Sequence, residues 1–326
     1  MATPAPTLIL YHADCPDGFG AAWSYWRKYG PAARYEPYYY DQKRPPGIEG
    51  EDVIMVDVSA PAARLWEIHD HARTFRLIDH HESAATDLAT LPFAQFDLAH
   101  SGAVLGWRDA WGTDEPLPRL LRLIQARDLW TWDEAGAWEA LLVLDTLPRT
   151  FEAWDAFHDR LTHDFAGVQA EGAVMDRQYQ ALMTRFIRQA VPITIAGLPG
   201  KLVNIPHVFA NDVGAALCQE VPIAITWYLG ADGLAHLSLR AEKDHFNLIP
   251  VAQALGGGGH KGSGGARLPL DRLAAMHRGE DVLGDCEGLK ATMAVWHTRL
   301  RAHWKQLEAI GQPFAPTASP PRRRPG

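Results

Sequence analysis

The chain has 326 residues, with 47% hydrophobic and 21% charged, which is ordinary for a soluble globular protein and leaves room for two domains with proper cores. Its formal net charge is -8 and its pI about 6.0, which argues against a protein that coats long nucleic acid, since that needs a basic face. No apolar run approaches the ~18 residues of a membrane span and the N-terminus lacks the features of a signal peptide, so cytoplasm is the default location.

Thr7–Tyr11 reads as a buried strand running into His12-Ala13-Asp14-Cys15-Pro16-Asp17-Gly18. Gly18–Tyr29 carries Phe19, Ala22, Trp23 and Trp26 at helical spacing. Arg34–Tyr40 reads as an aromatic-rich strand, stopped by Asp41 and Pro45-Pro46-Gly47. Asp52–Asp57 is the next strand, and Pro61 suits the first turn of a helix reaching about His71, with Ser59 as a candidate cap. Thr74–Asp79 is a further strand, ending in Asp79-His80-His81. This strand–helix–strand rhythm implies right-handed crossovers and a parallel sheet.

From about His100 to Gln189 the pattern is mostly helical, over Ser101–Trp111, Pro116–Arg127, Glu134–Leu147 and the long Phe165–Gln189. Strand signals return at Val191. Ile193–Ala196 and Lys201–Ile205 flank the turn Gly197-Leu198-Pro199-Gly200, and Ile223–Tyr228 and Leu234–Arg240 flank Gly230-Ala231-Asp232-Gly233. The fold class is therefore α/β. A parallel-sheet domain covers residues 7–160, a helical linker 161–190 and a smaller α/β domain 191–310. The Pro-rich tail 311–326, with Arg322-Arg323-Arg324, reads as disordered. Cys15, Cys218 and Cys286 form no CxxC, so neither a disulfide framework nor a structural zinc site is expected.

Chemistry concentrates at three strand ends. His12, Asp14 and Asp17 combine a borderline ligand with hard ones, which suits Mn²⁺ or a similar cation, although such residues also cap helices and form turns. Asp57 alone would read as a helix cap; between two metal positions it can bridge them. Asp79, His80 and His81 end an apolar run that packing alone would not end so. Ligands of an open parallel sheet bind beyond the carboxyl ends of its strands, where these residues would meet. Asp128, after a helical pattern, is a further constellation residue whose plain reading is a salt bridge to Arg127 or a turn. Cys15 lies in the first segment, with no Cys/His nucleophile arrangement beside it. In the second domain, Gly256-Gly257-Gly258-Gly259-His260-Lys261 follows an apolar segment. Glycines let backbone N–H groups converge on phosphate oxygens, and His260 and Lys261 add donors. Arg240, ending a strand, is a second candidate anion contact.

Taken in order, these residues resemble the DHH phosphoesterase superfamily, whose name matches Asp79-His80-His81. His12–Gly18 resembles its first motif with one extra residue between Asp14 and Asp17. Asp57 and Asp128 resemble its second and fourth motifs, and Ser101-Gly102-Ala103 its small-residue segment. Leu237–Arg240 and Gly256–His260 resemble the DHH-associated C-terminal domain. The resemblance implies two divalent ions, usually manganese, with Mg²⁺ or Co²⁺ as alternatives. His12, Asp14, Asp17, His80 and Asp128 would hold them, Asp57 would bridge them, and His81 would contact the scissile phosphate or act as an acid. Arg240, Gly257, Gly258, Gly259, His260 and Lys261 would contact substrate as the second domain closes.

The implied reaction is hydrolysis of a phosphodiester or phosphoanhydride in a small nucleotide or short oligonucleotide, as in the nanoRNase type. Exopolyphosphatase or nucleotide phosphatase action stays open, as does a non-catalytic nucleotide-binding member, because of the altered first motif. An α/β metalloprotein without phosphate chemistry would leave the Gly-His-Lys segment unexplained. Neither long duplex nor membrane is an expected partner, and a homodimer is compatible with the sequence.

Overall fold

The structure, a computed structural model, describes residues 8–241, 246–259 and 261–283. The expected disordered tail and His260 lie outside them. The chain divides into two compact units, one up to Asp176 and one from Arg177.

The first unit is built on five parallel strands: β1 (Leu8–His12), β2 (Arg34–Tyr38), β3 (Asp52–Val56), β4 (Thr74–Asp79) and β5 (Ala94–Phe96), in the spatial order β2-β1-β3-β4-β5. The helices of this unit are α1 (Pro16–Tyr29), α2 (Ala62–His71), α3 (Glu82–Leu88), α4 (Gly102–Trp111), α5 (Arg119–Asp128), α6 (Ala137–Leu144) and α7 (Phe151–His163). A long α8 (Phe165–Ile187) runs through the division between the units.

The sheet's apolar runs exist because it is covered on both faces. Leu8, Leu10, Val53, Met55 and Leu77 pack with Leu65 and Ile68 of α2. The intervening residues Ile9, Ile54, Val56 and Ile78 pack on the other face, with Ala21 and Tyr25 of α1 and Leu105 of α4. The two-residue period of a strand thus sends alternate side chains into two different cores. Strand β1 lies between β2 and β3, so the winding changes direction there. That is where an open parallel sheet splits to form a crevice past its carboxyl ends.

The second unit holds a six-stranded sheet, β10-β11-β9-β8-β7-β6. Its elements are β6 (Val191–Ile195), β7 (Leu198–Asn204), α9 (Ala210–Leu217), β8 (Ile223–Leu229), β9 (Ala235–Arg240), α10 (Ile249–Ala254), β10 (Gly258–Gly259), β11 (Ser263–Leu268) and α11 (Leu270–His277). Only β7 and β8 run parallel, joined through α9. No helix among the described residues is long and apolar enough to cross a membrane.

Three local expectations need correction. The first hairpin turn is Ala196-Gly197, not the four residues from Gly197. Ile195 already faces Leu198, and both turn residues have positive φ, 51° and 73°, as a two-residue turn that matches strand twist requires. Asp281 accepts hydrogen bonds from both turn N–H groups, at 2.9 and 2.7 Å. Pro61, not Ser59, occupies the cap position of α2; its fixed φ already turns the chain into the helix. The glycine segment is not an open phosphate cradle. Gly258 and Gly259 pair with Gly265 and Gly264, and the N–H of Gly257 is used by the Ala252 carbonyl at 2.8 Å.

Candidate metal centre

His12 ends β1, Asp57 follows β3, and Asp79-His80-His81 closes β4. In register, Val56 lies opposite both Tyr11 and Ile78, so the three strand ends are level. Asp57 adopts φ 62°, a left-handed conformation uncommon outside glycine. Its N–H still reaches the Ile78 carbonyl at 3.0 Å, and its carboxylate is only 1% exposed. One oxygen, Oδ2, lies 3.4 Å from His12 Nδ1. The other, Oδ1, lies 3.1 Å from His80 Nε2.

His80 Nε2 is also 3.6 Å from Asp17 Oδ2 and 3.6 Å from Asp128 Oδ2. Asp17 stands in the first turn of α1 and Asp128 ends α5. The amino end of α4 fixes Asp17. Gly102 N–H donates to Oδ2 at 2.6 Å and Ala103 N–H to Oδ1 at 3.1 Å, a natural use of unpaired helix N–H groups for an anion. Two glycines permit this crowding. A Cβ at Gly102 would lie 2.4 Å from Asp57 Oδ1, and one at Gly18 would lie 2.5 Å from the His12 carbonyl oxygen.

The donors form overlapping sets, within each of which the ligand atoms lie within 4.8 Å of one another. Asp17, His80 and Asp128 form one, and His12, Cys15 and Asp57 another. A third joins Asp57, Asp79, His80 and His81, but Asp79 Oδ1 is already engaged. It accepts from His80 N–H at 2.7 Å, His81 N–H at 3.3 Å and His81 Nδ1 at 2.7 Å. Asp79 therefore orients the His81 imidazole directly and holds the backbone of His80. Asp57 Oδ2 and His12 Nδ1 are buried with no hydrogen bond among the described residues. A buried acceptor left so costs about 1–3 kcal/mol or more, and a cation would satisfy both atoms. A cavity of about 390 Å³ opens beside His12, Asp57 and His81, lined also by Ala60, Pro61 and Ala84.

Electrostatics point the same way. Burial would lower the His80 pKa, but the hydrogen bond and charge of Asp57, with Asp17 and Asp128, raise it to about 9. Burial would raise Asp57, yet the adjacent imidazoles of His12 and His80 hold it well below the usual carboxylate range. Burial, then the charges of Asp57 and Asp128, push Asp17 up. Burial also pushes Asp128 up, against the charge of His80. Three carboxylates thus crowd one imidazole, a donor set with surplus negative charge. With its pKa raised to about 9 by Asp57, Asp17 and Asp128, His80 is expected to hold a proton at pH 7 in the metal-free protein, and ligation needs the neutral ring. Metal binding at pH 7 should therefore release at least one proton, and affinity should climb by roughly tenfold per pH unit for that proton up to about pH 9. Calorimetric titration in buffers of different ionisation enthalpy measures this; the absence of proton release would contradict the role of His80.

No family model matches the chain. Uncharacterized protein R106 of Acanthamoeba polyphaga mimivirus is 28% identical over 284 residues, covering 79% of this chain and 66% of its own length. The chain thus spans just under two thirds of that relative. Among solved structures, RecJ from Thermus thermophilus in complex with Mn²⁺ superposes with a TM-score of 0.52 at 16% identity, over 86% of this chain and 52% of RecJ. The DHH domain of a member of a ribosomal-protein family gives 0.51 at 13% identity, over 87% of both chains. This chain has the DHH fold. A pGpG-specific phosphodiesterase from Vibrio cholerae gives 0.50 at 14% identity, over 83% of this chain and 96% of that one.

Within the DHH fold of this chain, His12, Asp17, Asp57, His80 and Asp128 come together and Asp14 stands apart. Asp14 has φ 55°, and its side chain is 80% exposed. Its Oδ2 accepts from the Tyr39 hydroxyl at 2.6 Å. Asp128 does not pair with Arg127, whose Nη1 reaches Asp145 at 2.9 Å. His81 lines the cavity, its Nδ1 on Asp79; burial opposes protonation, and Asp79 outweighs it.

In the second unit, Arg240 is held by Asn211 and burial lowers its pKa. Gly257 lines a cavity of about 400 Å³ with Tyr228, His236, Ser238 and Arg267, which Arg240, Gly258, Gly259 and Lys261 do not line. Reading the sequence placed Asp79 in the strand-end cluster, Gly102 in a small-residue segment and Cys15 in the first motif, but gave none of them a task of its own there. The task of Asp79 could have been found from its position, since its carboxylate reaches the ring of the histidine two residues on.

Proposed function

We propose that this protein is a metal-dependent phosphoesterase that hydrolyses a phosphodiester or phosphoanhydride in a small nucleotide or short oligonucleotide. One observation carries the reading: the two oxygens of buried Asp57 face two different donor sets, one toward His12 and one toward His80. That is how a carboxylate bridging two cations would be placed.

His12 and Asp57 would hold one ion; Asp17, Asp57, His80 and Asp128 the other. Bound there, two divalent ions would supply a water deprotonated at neutral pH and neutralise charge on the phosphoryl oxygens. Asp79 keeps the His81 imidazole in place and anchors the His80 backbone. His81, with its raised pKa, donates a proton or hydrogen bond to a phosphate oxygen in the adjoining cavity. Arg240, Lys261 and His260 would supply anion contacts to the substrate, with Arg240 pre-set by Asn211. A short substrate accords with the acidic balance of the chain and with the neighbour named for a pGpG-specific activity. Manganese is the ion favoured by mixed imidazole and carboxylate donors around Asp17.

A panel of pGpG, a five-nucleotide RNA and polyphosphate, each with Mn²⁺, Mg²⁺ or Co²⁺, tests this. The dinucleotide or RNA should turn over, and chelation should stop it. Turnover of polyphosphate alone would replace the nucleotide reading. Tight metal and nucleotide binding without product would make the protein a binding module.

A further inference from the structure

The donor set on the His12 side contains a residue of a different chemical kind. Cys15 precedes α1 as its cap residue, half-buried and without a disulfide. The left-handed turn at Asp14 sends that carboxylate to Tyr39 and leaves Cys15 as the residue of the loop that faces the strand ends. A sulfur ligand atom there lies within 4.8 Å of donor atoms of both His12 and Asp57. Two of its companions point to a cation independently of the sulfur. Asp57, 1% exposed, has Oδ2 buried with no hydrogen bond among the described residues, and His12 Nδ1 is in the same state.

We propose that Cys15 is a thiolate ligand, completing with His12 and Asp57 a metal position softer than the Asp17–His80–Asp128 position beside it. On binding, the S–H bond breaks, the sulfur lone pair forms the S–metal bond, and the proton leaves to solvent. Thiolate favours Zn²⁺, Co²⁺ or Cd²⁺ over Mn²⁺ and Mg²⁺, whereas the all-carboxylate-and-imidazole position keeps its harder preference. The two halves of the centre would then differ in the ion they select. This inference rests on the two-ion reading above and makes it specific for one half.

The test is spectroscopic and needs no turnover. A protein carrying Cys218→Ser and Cys286→Ser keeps Cys15 as the only thiol of the chain's three cysteines, so a thiolate signal can arise only there. Loaded with Co²⁺ it should show a near-ultraviolet sulfur-to-cobalt charge-transfer band, and loaded with ¹¹³Cd²⁺ one strongly deshielded resonance. Cys15→Ser should remove both and weaken Cd²⁺ binding by roughly tenfold or more, while Cys15→Asp should turn the preference back toward Mn²⁺. Two equivalents of Co²⁺ bound without the band would overturn the role of Cys15 and leave the two-ion centre standing. A band persisting in Cys15→Ser in the same background would also overturn it. No Co²⁺ bound at all would overturn both.

Discussion

Asp57→Asn should abolish hydrolysis while the fold survives. The substitution keeps the shape of the side chain and its place after β3, but removes the charge that faces both His12 and His80. An amide presents one acceptor oxygen and an NH₂ group, so one of the two donor sets loses its ligand. Each set contains the other partners needed to hold an ion weakly, so metal content should fall rather than vanish. Loss of several kcal/mol of charge stabilisation, at 1.36 kcal/mol per tenfold, gives a drop in kcat/KM on the order of 10³-fold or more. The same variant should lower the His80 pKa from about 9, because Asp57 is the leading contributor to its rise. An NMR titration of the His80 ring reads that shift without any substrate. Turnover within a few fold of the parent would remove Asp57 from the chemistry.

Gly102→Ala is the smallest change expected to damage both stability and the centre. The new methyl would sit 2.4 Å from Asp57 Cβ and Oδ1, where no flexible side-chain end can give way. Either α4 retreats or Asp57 turns. If α4 retreats, Asp17 loses the two N–H donors at 2.6 and 3.1 Å that hold it. If Asp57 turns, its bridge between His12 and His80 is broken. Overpacking of a closed site costs about 1–3 kcal/mol, visible as a lower urea midpoint. Metal affinity should fall in parallel, although residue 102 carries no ligand. An unchanged midpoint with full metal content would show that the helix end is more yielding than its packing implies.

The parallel sheet was legible in the sequence because Leu8–Leu10, Val53–Val56 and Leu77–Ile78 are apolar without alternation, the mark of strands covered on two faces. The meeting of His12, Asp57 and His80 followed from the same reading, since each ends one of those strands and the strands are neighbours. What could not be read were the consequences of single backbone conformations. The outward turn of Asp14 goes with φ 55°, and the pose of Asp57 between His12 and His80 with φ 62°; aspartate visits positive φ more readily than most residues, but the sequence does not mark which aspartate does so. The pairing of Gly258 and Gly259 with β11 was hidden because glycine lacks any strand preference. Short elements such as α3 and β5 lack enough residues to establish a period.

All the ligands discussed, from His12 to Asp128, are encoded within the first unit, and α8 carries the chain on to the second. A change of ligand or helix contact in the one stretch therefore leaves the residues of the other untouched. Variation after Arg177 can accordingly accumulate without replacing any of the side chains gathered at the strand ends of the first unit.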